Sequence, residues 1–94
     1  MYVGLTKASS RNTQSHWVQV SGVCILFSYA TAIAVQYDGQ RVRRKNHWGS
    51  TTGRHINEAE VRTWPVVDDV LFDQKMDEFV YQAIADRVAS RLTN

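Results

Sequence analysis

With Cys24 as its only cysteine, the chain can form neither an intrachain disulfide nor a paired-cysteine metal clip, so nothing calls for an oxidising compartment. The cytoplasm is the expected location. Proline is almost absent too, Pro65 standing alone, and with five glycines and 44% hydrophobic residues the composition excludes low-complexity and disordered chains. The N-terminus lacks the basic start and apolar run of about 7 to 15 residues that a secretory signal needs. The longest apolar stretch, Val23 to Val35, is interrupted by Ser28 and Thr31 and falls short of the roughly 20 residues of a membrane helix. No membrane partner is expected. No internal repeat is visible. At 94 residues the chain reads as one domain over 1–94, with a thin core that competes with any internal pocket for the same residues.

Acid is scarce in the first part of the chain. Residues 1–56 hold seven Lys and Arg and one acid, whereas residues 57–94 hold four bases and eight acids. Five of the early bases lie between Arg41 and Arg54, so the cationic density is a local patch, hidden by the net charge of +2.

Two hairpins organise the N-terminal part. HWVQV (16–20) and VCILFSY (23–29) are β-branched and aromatic, and Ser21-Gly22 between them is a turn signal. A two-residue turn sets Val20 opposite Val23, Val18 opposite Ile25 and His16 opposite Phe27, leaving Trp17, Gln19, Cys24, Leu26 and Ser28 on the other face. Asp38-Gly39 then marks a second tight turn, because both central residues of such turns take positive φ. Counting outwards pairs Val35 with Val42, Ile33 with Arg44 and Tyr37 with Gln40 on a mostly apolar face. Ala34 with Arg43, Gln36 with Arg41 and Ala32 with Lys45 fall on a cationic one.

The polar segment Thr6–Ser15 reads as a loop. Residues 49–64 read as a loop entering a short helix, with Asn57 and Glu60 as its cap pair. Asp68, followed four residues later by Phe72, suits the start of a C-terminal helix over about 68–92, with Val67 and Phe72 as a staple. Phe72, Met76, Phe79, Val80, Ala83, Ile84 and Val88 form its sheet-covering stripe. The expected fold is therefore α+β: a twisted antiparallel sheet of about four strands over 16–48, packed against a C-terminal helix.

Arg41, Arg43, Lys45 and His47 alternate along one strand and project from one face at about 7 Å spacing, close to the phosphate repeat of an extended nucleic-acid strand. Trp48 ends the run as a candidate stacking platform for a base. The same charges also suit an edge strand protected against sheet-to-sheet pairing, with Trp48 packed opposite Tyr29. Gly49 to Arg54 resembles an anion-cradling loop, but the lysine of a nucleotide-binding loop is missing and a Ser/Thr helix cap explains the hydroxyls equally. His16, His47 and His55 meet no metal-spacing rule, and no nucleophile and base pair stands out, so no metal, cofactor or catalytic residue is expected. Asp69, Asp73 and Asp77, with Glu78, make an acidic helix flank.

Two stretches carry a resemblance. Phe27, Ser28, Tyr29, Thr31, Ile33 and Ala34, followed by Trp48, Thr51, Thr52, Arg54, His55, Ile56 and Asn57, resemble an uncharacterised family of short phage and mobile-element proteins. Ala32 departs from that pattern, which often has proline there. The resemblance implies a phage, prophage or plasmid product acting in a host cell, and implies no activity. The leading expectation is a non-enzymatic accessory protein that binds a nucleic-acid or nucleoprotein surface through Arg41, Arg43, Lys45 and Arg54, with His47 and Trp48 second. The other is an inhibitor of a host defence complex, of the anti-CRISPR type, docking by its acidic helix. An exposed edge strand leaves a symmetric homodimer open.

Overall fold

The computed structural model describes residues 3–7, 14–46 and 49–93. Five strands run as an antiparallel meander: β1 (Val3–Lys7), β2 (Ser15–Val20), β3 (Val23–Ser28), β4 (Thr31–Tyr37) and β5 (Gln40–Arg44). A helix α1 (Ser50–Glu58) follows, then a two-residue strand β6 (Val66–Val67) parallel to β5, then the long helix α2 (Asp69–Thr93). The α+β class is as the sequence implies. The sheet is larger than expected, because Thr6 and Lys7 lie in β1 and Ser15 in β2, within the segment read as a loop.

Next to their turns both hairpins have the register that counting gives. Val20 faces Val23 and Val18 faces Ile25; Val35 faces Val42, Gln36 faces Arg41 and Ala34 faces Arg43. Their turns have positive φ throughout, at Ser21 (52°) and Gly22 (89°), and at Asp38 (51°) and Gly39 (80°). That conformation matches the right-handed twist of the flanking strands.

Farther from the second turn the count fails for two residues, Ile33, expected beside Val35 and opposite Arg44, and Ala32, expected on the cationic face opposite Lys45. β4 carries a bulge against Leu26 and Phe27, so Phe27 pairs with Ala32, Leu26 pairs with Ala34, and Ile33 is the extra residue. Ala32 therefore turns to the face under α2, while Ile33 joins Leu26 and Ala34 on the opposite face.

Each face carries a helix. On one, Phe72, Phe79 and Ala83 of α2 pack on Val23, Ile25 and Val35. On the other, Ile56 and Val61 pack on Leu26, Ile33 and Ala34, so the sheet is a middle layer where a single helix-covered face was expected. α1 starts at Ser50 behind Gly49, which has φ of 98° and no side-chain cap, and it ends at Glu58. Asn57 and Glu60 thus belong to its C-terminal end and do not cap its start. Asp68 does cap α2, accepting from the Leu71 N–H at 2.8 Å. The apolar stripe of α2 is buried only as far as Ala83: Phe72 is fully buried, whereas Ile84 is 43% and Val88 49% exposed.

Tyr37 ties α2 to β4, its Oη donating to Asp86 Oδ2 at 2.5 Å while Gln82 donates to Oδ1 at 2.8 Å. The hydrogen bond to the carboxylate is the main reason that the phenol is pushed up to about 12, and the same bond holds the Asp86 carboxyl below the usual range. In a spectrophotometric titration with Tyr37→Phe as the difference standard, Tyr37 should ionise near 12, and Asp86→Asn should bring it back toward 10. An unchanged midpoint in Asp86→Asn would disprove the coupling.

Candidate functional site

The cations of β5 divide by the alternation of the strand. Arg41 and Arg43 pair with Gln36 and Ala34 and so share the face of Leu26 and α1. Arg41 is exposed and its guanidinium lies 5.7 Å from the Trp64 ring centroid. Trp64 in turn sits 5.9 Å from Trp17 at 45°. This column exists because the Arg43 N–H donates to the Pro65 carbonyl at 2.9 Å, which seats the chain after α1 beside β5.

Arg43 itself is half-buried and turned inward. Its Nε donates to the Arg62 carbonyl at 3.3 Å and its Nη1 to the Arg44 carbonyl at 3.0 Å. Lys45 after β5, Arg54 on α1 and Arg62 are exposed. Among the described residues, Arg41, Arg43, Lys45, Arg54 and Arg62 form no ion pair. His47 and Trp48, and with them the expected stacking platform, lie outside the described residues. An aromatic platform nonetheless stands beside Arg41, built from Trp64 and Trp17. The sequence placed Trp17 on this face but offered no signal that Trp64 would return to it. β5 is moreover not a free edge, since β6 pairs with it at Arg43 and Arg44.

Arg44 points the other way, under α2. Its guanidinium stands 4.2 Å from the Phe72 ring centroid, its Nε donates to the Ala32 carbonyl at 2.7 Å, and its Nη1 and Nη2 reach Asp69 at 3.3 Å and Asp73 at 2.5 Å. Only 13% of the side chain is exposed. Two of the four acids expected to dock a partner are thus engaged inside the fold. Glu78 meets Lys75 at 3.6 Å, and Asp77 is exposed.

A third feature was not visible in the sequence. Ser28, Tyr29 and Thr31 at the β3–β4 turn and Thr51 and Thr52 in the first turn of α1 line a cleft of about 250 Å³. Beneath it, Ser28 Oγ and His55 Nδ1 are 2.6 Å apart, both residues buried, and the Tyr29 ring lies 5.7 Å from that of His55. Burial pushes the His55 imidazole below its ordinary range, Arg54 adds to this and Glu58 opposes it. The neutral ring therefore bonds to Ser28 and fastens α1 to β3. The two motif stretches of the sequence thus meet in space, and Ser28 and His55, 27 residues apart, form a pair that no local spacing reveals. Among the described residues no group of three or more His, Cys, Asp or Glu could hold a metal ion.

A family of unknown function, DUF8033, matches residues 4–64, more than half of the chain. The match spans β1 to β5, α1 and Trp64, and stops before α2. No curated protein and no solved structure matches.

Proposed function

The chain belongs to the DUF8033 family, and we propose that it is a non-enzymatic module binding single-stranded nucleic acid or a nucleoprotein surface through the face that carries Arg41, Lys45, Arg54 and Arg62. The observation behind this reading is the column of Arg41 on Trp64 on Trp17, flanked by cations that meet no acid among the described residues. Phosphates would take the cations, and unstacked bases would find aromatic faces, a combination that binds single strands with little sequence preference. Arg43 contributes less than the sequence implied, since its guanidinium already serves two carbonyls. A phage or other mobile element, acting in the cytoplasm of its host, is the setting that fits the sequence resemblance.

Fluorescence anisotropy with labelled single-stranded and duplex oligonucleotides tests this. With about four phosphates contacted, affinity should fall roughly a hundredfold between 50 and 200 mM salt. Replacing Arg41 and Lys45 together by alanine should make that dependence shallower by about two phosphates. No binding at low salt, or a flat salt profile, overturns the proposal.

A further inference from the structure

α2 is 25 residues long, about 37 Å at 1.5 Å per residue, and it lies mainly over β3, β4 and β5. Strands spaced about 4.8 Å apart mean that one helix, roughly 10 Å across, covers two or three of them. The α2 face of β2 is therefore left without a helix, and its Val18 and Val20 are only half-buried. Beside this strip an open apolar groove is lined by Ile25, Phe27, Met76, Val80, Tyr81 and Ile84. Tyr81, Ile84, Val88 and Leu92 continue along the helix as a second apolar stripe, 75, 43, 49 and 82% exposed. Spacings of three and four residues keep them on one side of α2, next to the groove. A stripe of this kind is what a partner surface looks like before it is covered.

We propose that a second copy of this chain covers it, its α2 lying antiparallel to the first across a two-fold axis near Ile84 and Ala85. Charge fixes both the occupant and its direction. The N-terminal half of α2 is acidic, and Asp77 borders the groove. The C-terminal half carries Arg87 and Arg91, both exposed, and neither they nor Asp77 form an ion pair among the described residues. Antiparallel pairing brings Arg91 of one copy alongside Asp77 and Glu78 of the other, twice by symmetry, with Arg87 opposite Gln82, whereas parallel pairing sets like charges together. The same patch meets itself, so no foreign partner is needed to satisfy it. The interface uses the sheet face and helix opposite to Arg41 and Trp64, and it does not depend on nucleic-acid binding.

Sedimentation equilibrium of the full chain across a wide concentration range should return twice the chain mass. Val88→Glu and, separately, Tyr81→Lys replace exposed side chains and should give folded monomers by circular dichroism, with the dimer dissociation constant raised at least tenfold. Asp77→Arg should weaken the dimer, and Asp77→Arg combined with Arg91→Asp should restore it, a rescue that a merely greasy surface would not give. A wild-type monomer at all concentrations overturns the proposal. So does a dimer indifferent to Val88→Glu and Tyr81→Lys, which would place the contact elsewhere, or a double variant no tighter than Asp77→Arg alone.

Discussion

Replacing Arg44 by alanine is expected to lower the unfolding free energy by about 3 kcal/mol, the largest effect of any single cation among the described residues. Asp69 and Asp73 contribute the smaller part, because their side chains are 51 and 60% exposed and rehydrate once the guanidinium is gone. The larger part lies beneath them. The Ala32 carbonyl loses its donor at the bulge, worth about 1 to 2 kcal/mol, and Phe72, fully buried, loses the cation and the aliphatic stem that cover its ring, worth about 1 kcal/mol more. For a domain of this size that corresponds to a fall in melting temperature of more than about 12 °C. Arg44→Lys should recover less than half, since an ammonium cannot reach the carbonyl, both carboxylates and the ring together. Arg41→Ala, at an exposed site, should change stability by less than about 0.5 kcal/mol. Urea unfolding of the three variants is the measurement, and equal losses for Arg41→Ala and Arg44→Ala would refute the assignment.

That contrast also marks how far the sequence could be read. Alternation on β5 separates Arg44 from Arg41 and Arg43 correctly, and the two turns fix the register because Ser21-Gly22 and Asp38-Gly39 accept positive φ where other pairs would strain. What alternation cannot give is the partner across the layer, so the carboxylates that meet Arg44 read as an acidic flank open to a partner. Three elements were hidden for local reasons. β1 ends in a polar segment without an apolar period. The bulge at Ile33 exchanges the faces of Ala32 and Ile33 without any glycine to announce it. α1 was masked by Gly49 and Gly53, which read as loop punctuation. Gly53 is better explained by close approach: a Cβ there would lie 3.2 Å from Asn46 Nδ2, and that amide donates to the Gly49 carbonyl at 2.9 Å beside the start of α1. The helix accepts the roughly 1 kcal/mol penalty of an interior glycine so that the chain after β5 can pack against its first turn. Of the candidate site, the cations were legible one by one, whereas the aromatic column beneath Arg41 was not, since Trp64 reaches it through a backbone hydrogen bond from Arg43 to Pro65.

His55→Ala is the second large effect, also about 3 kcal/mol, because a side chain only 1% exposed is removed and the buried Ser28 hydroxyl loses its partner. Ser28→Ala should cost about 1 to 2 kcal/mol, since it leaves Nδ1 unpaired without opening a large cavity. The more discriminating readout is pH. Burial, with Arg54 adding to it and Glu58 opposing, lowers the His55 pKa in the folded protein, whereas the unfolded chain protonates near 6.5. Between the folded and unfolded values the unfolded state binds the extra proton, so stability falls as the pH drops below about 6.5, by at most about 1.4 kcal/mol per unit, and levels off once folded His55 also protonates. Above about pH 7 this group adds no pH dependence. Urea midpoints from pH 7.5 to 5 should therefore decline more steeply in the wild type than in His55→Gln, which keeps a polar side chain in place but cannot titrate. Parallel curves would mean that His55 binds its proton equally in the folded and unfolded chain, and would refute the claim that burial keeps the ring bonded to Ser28 neutral.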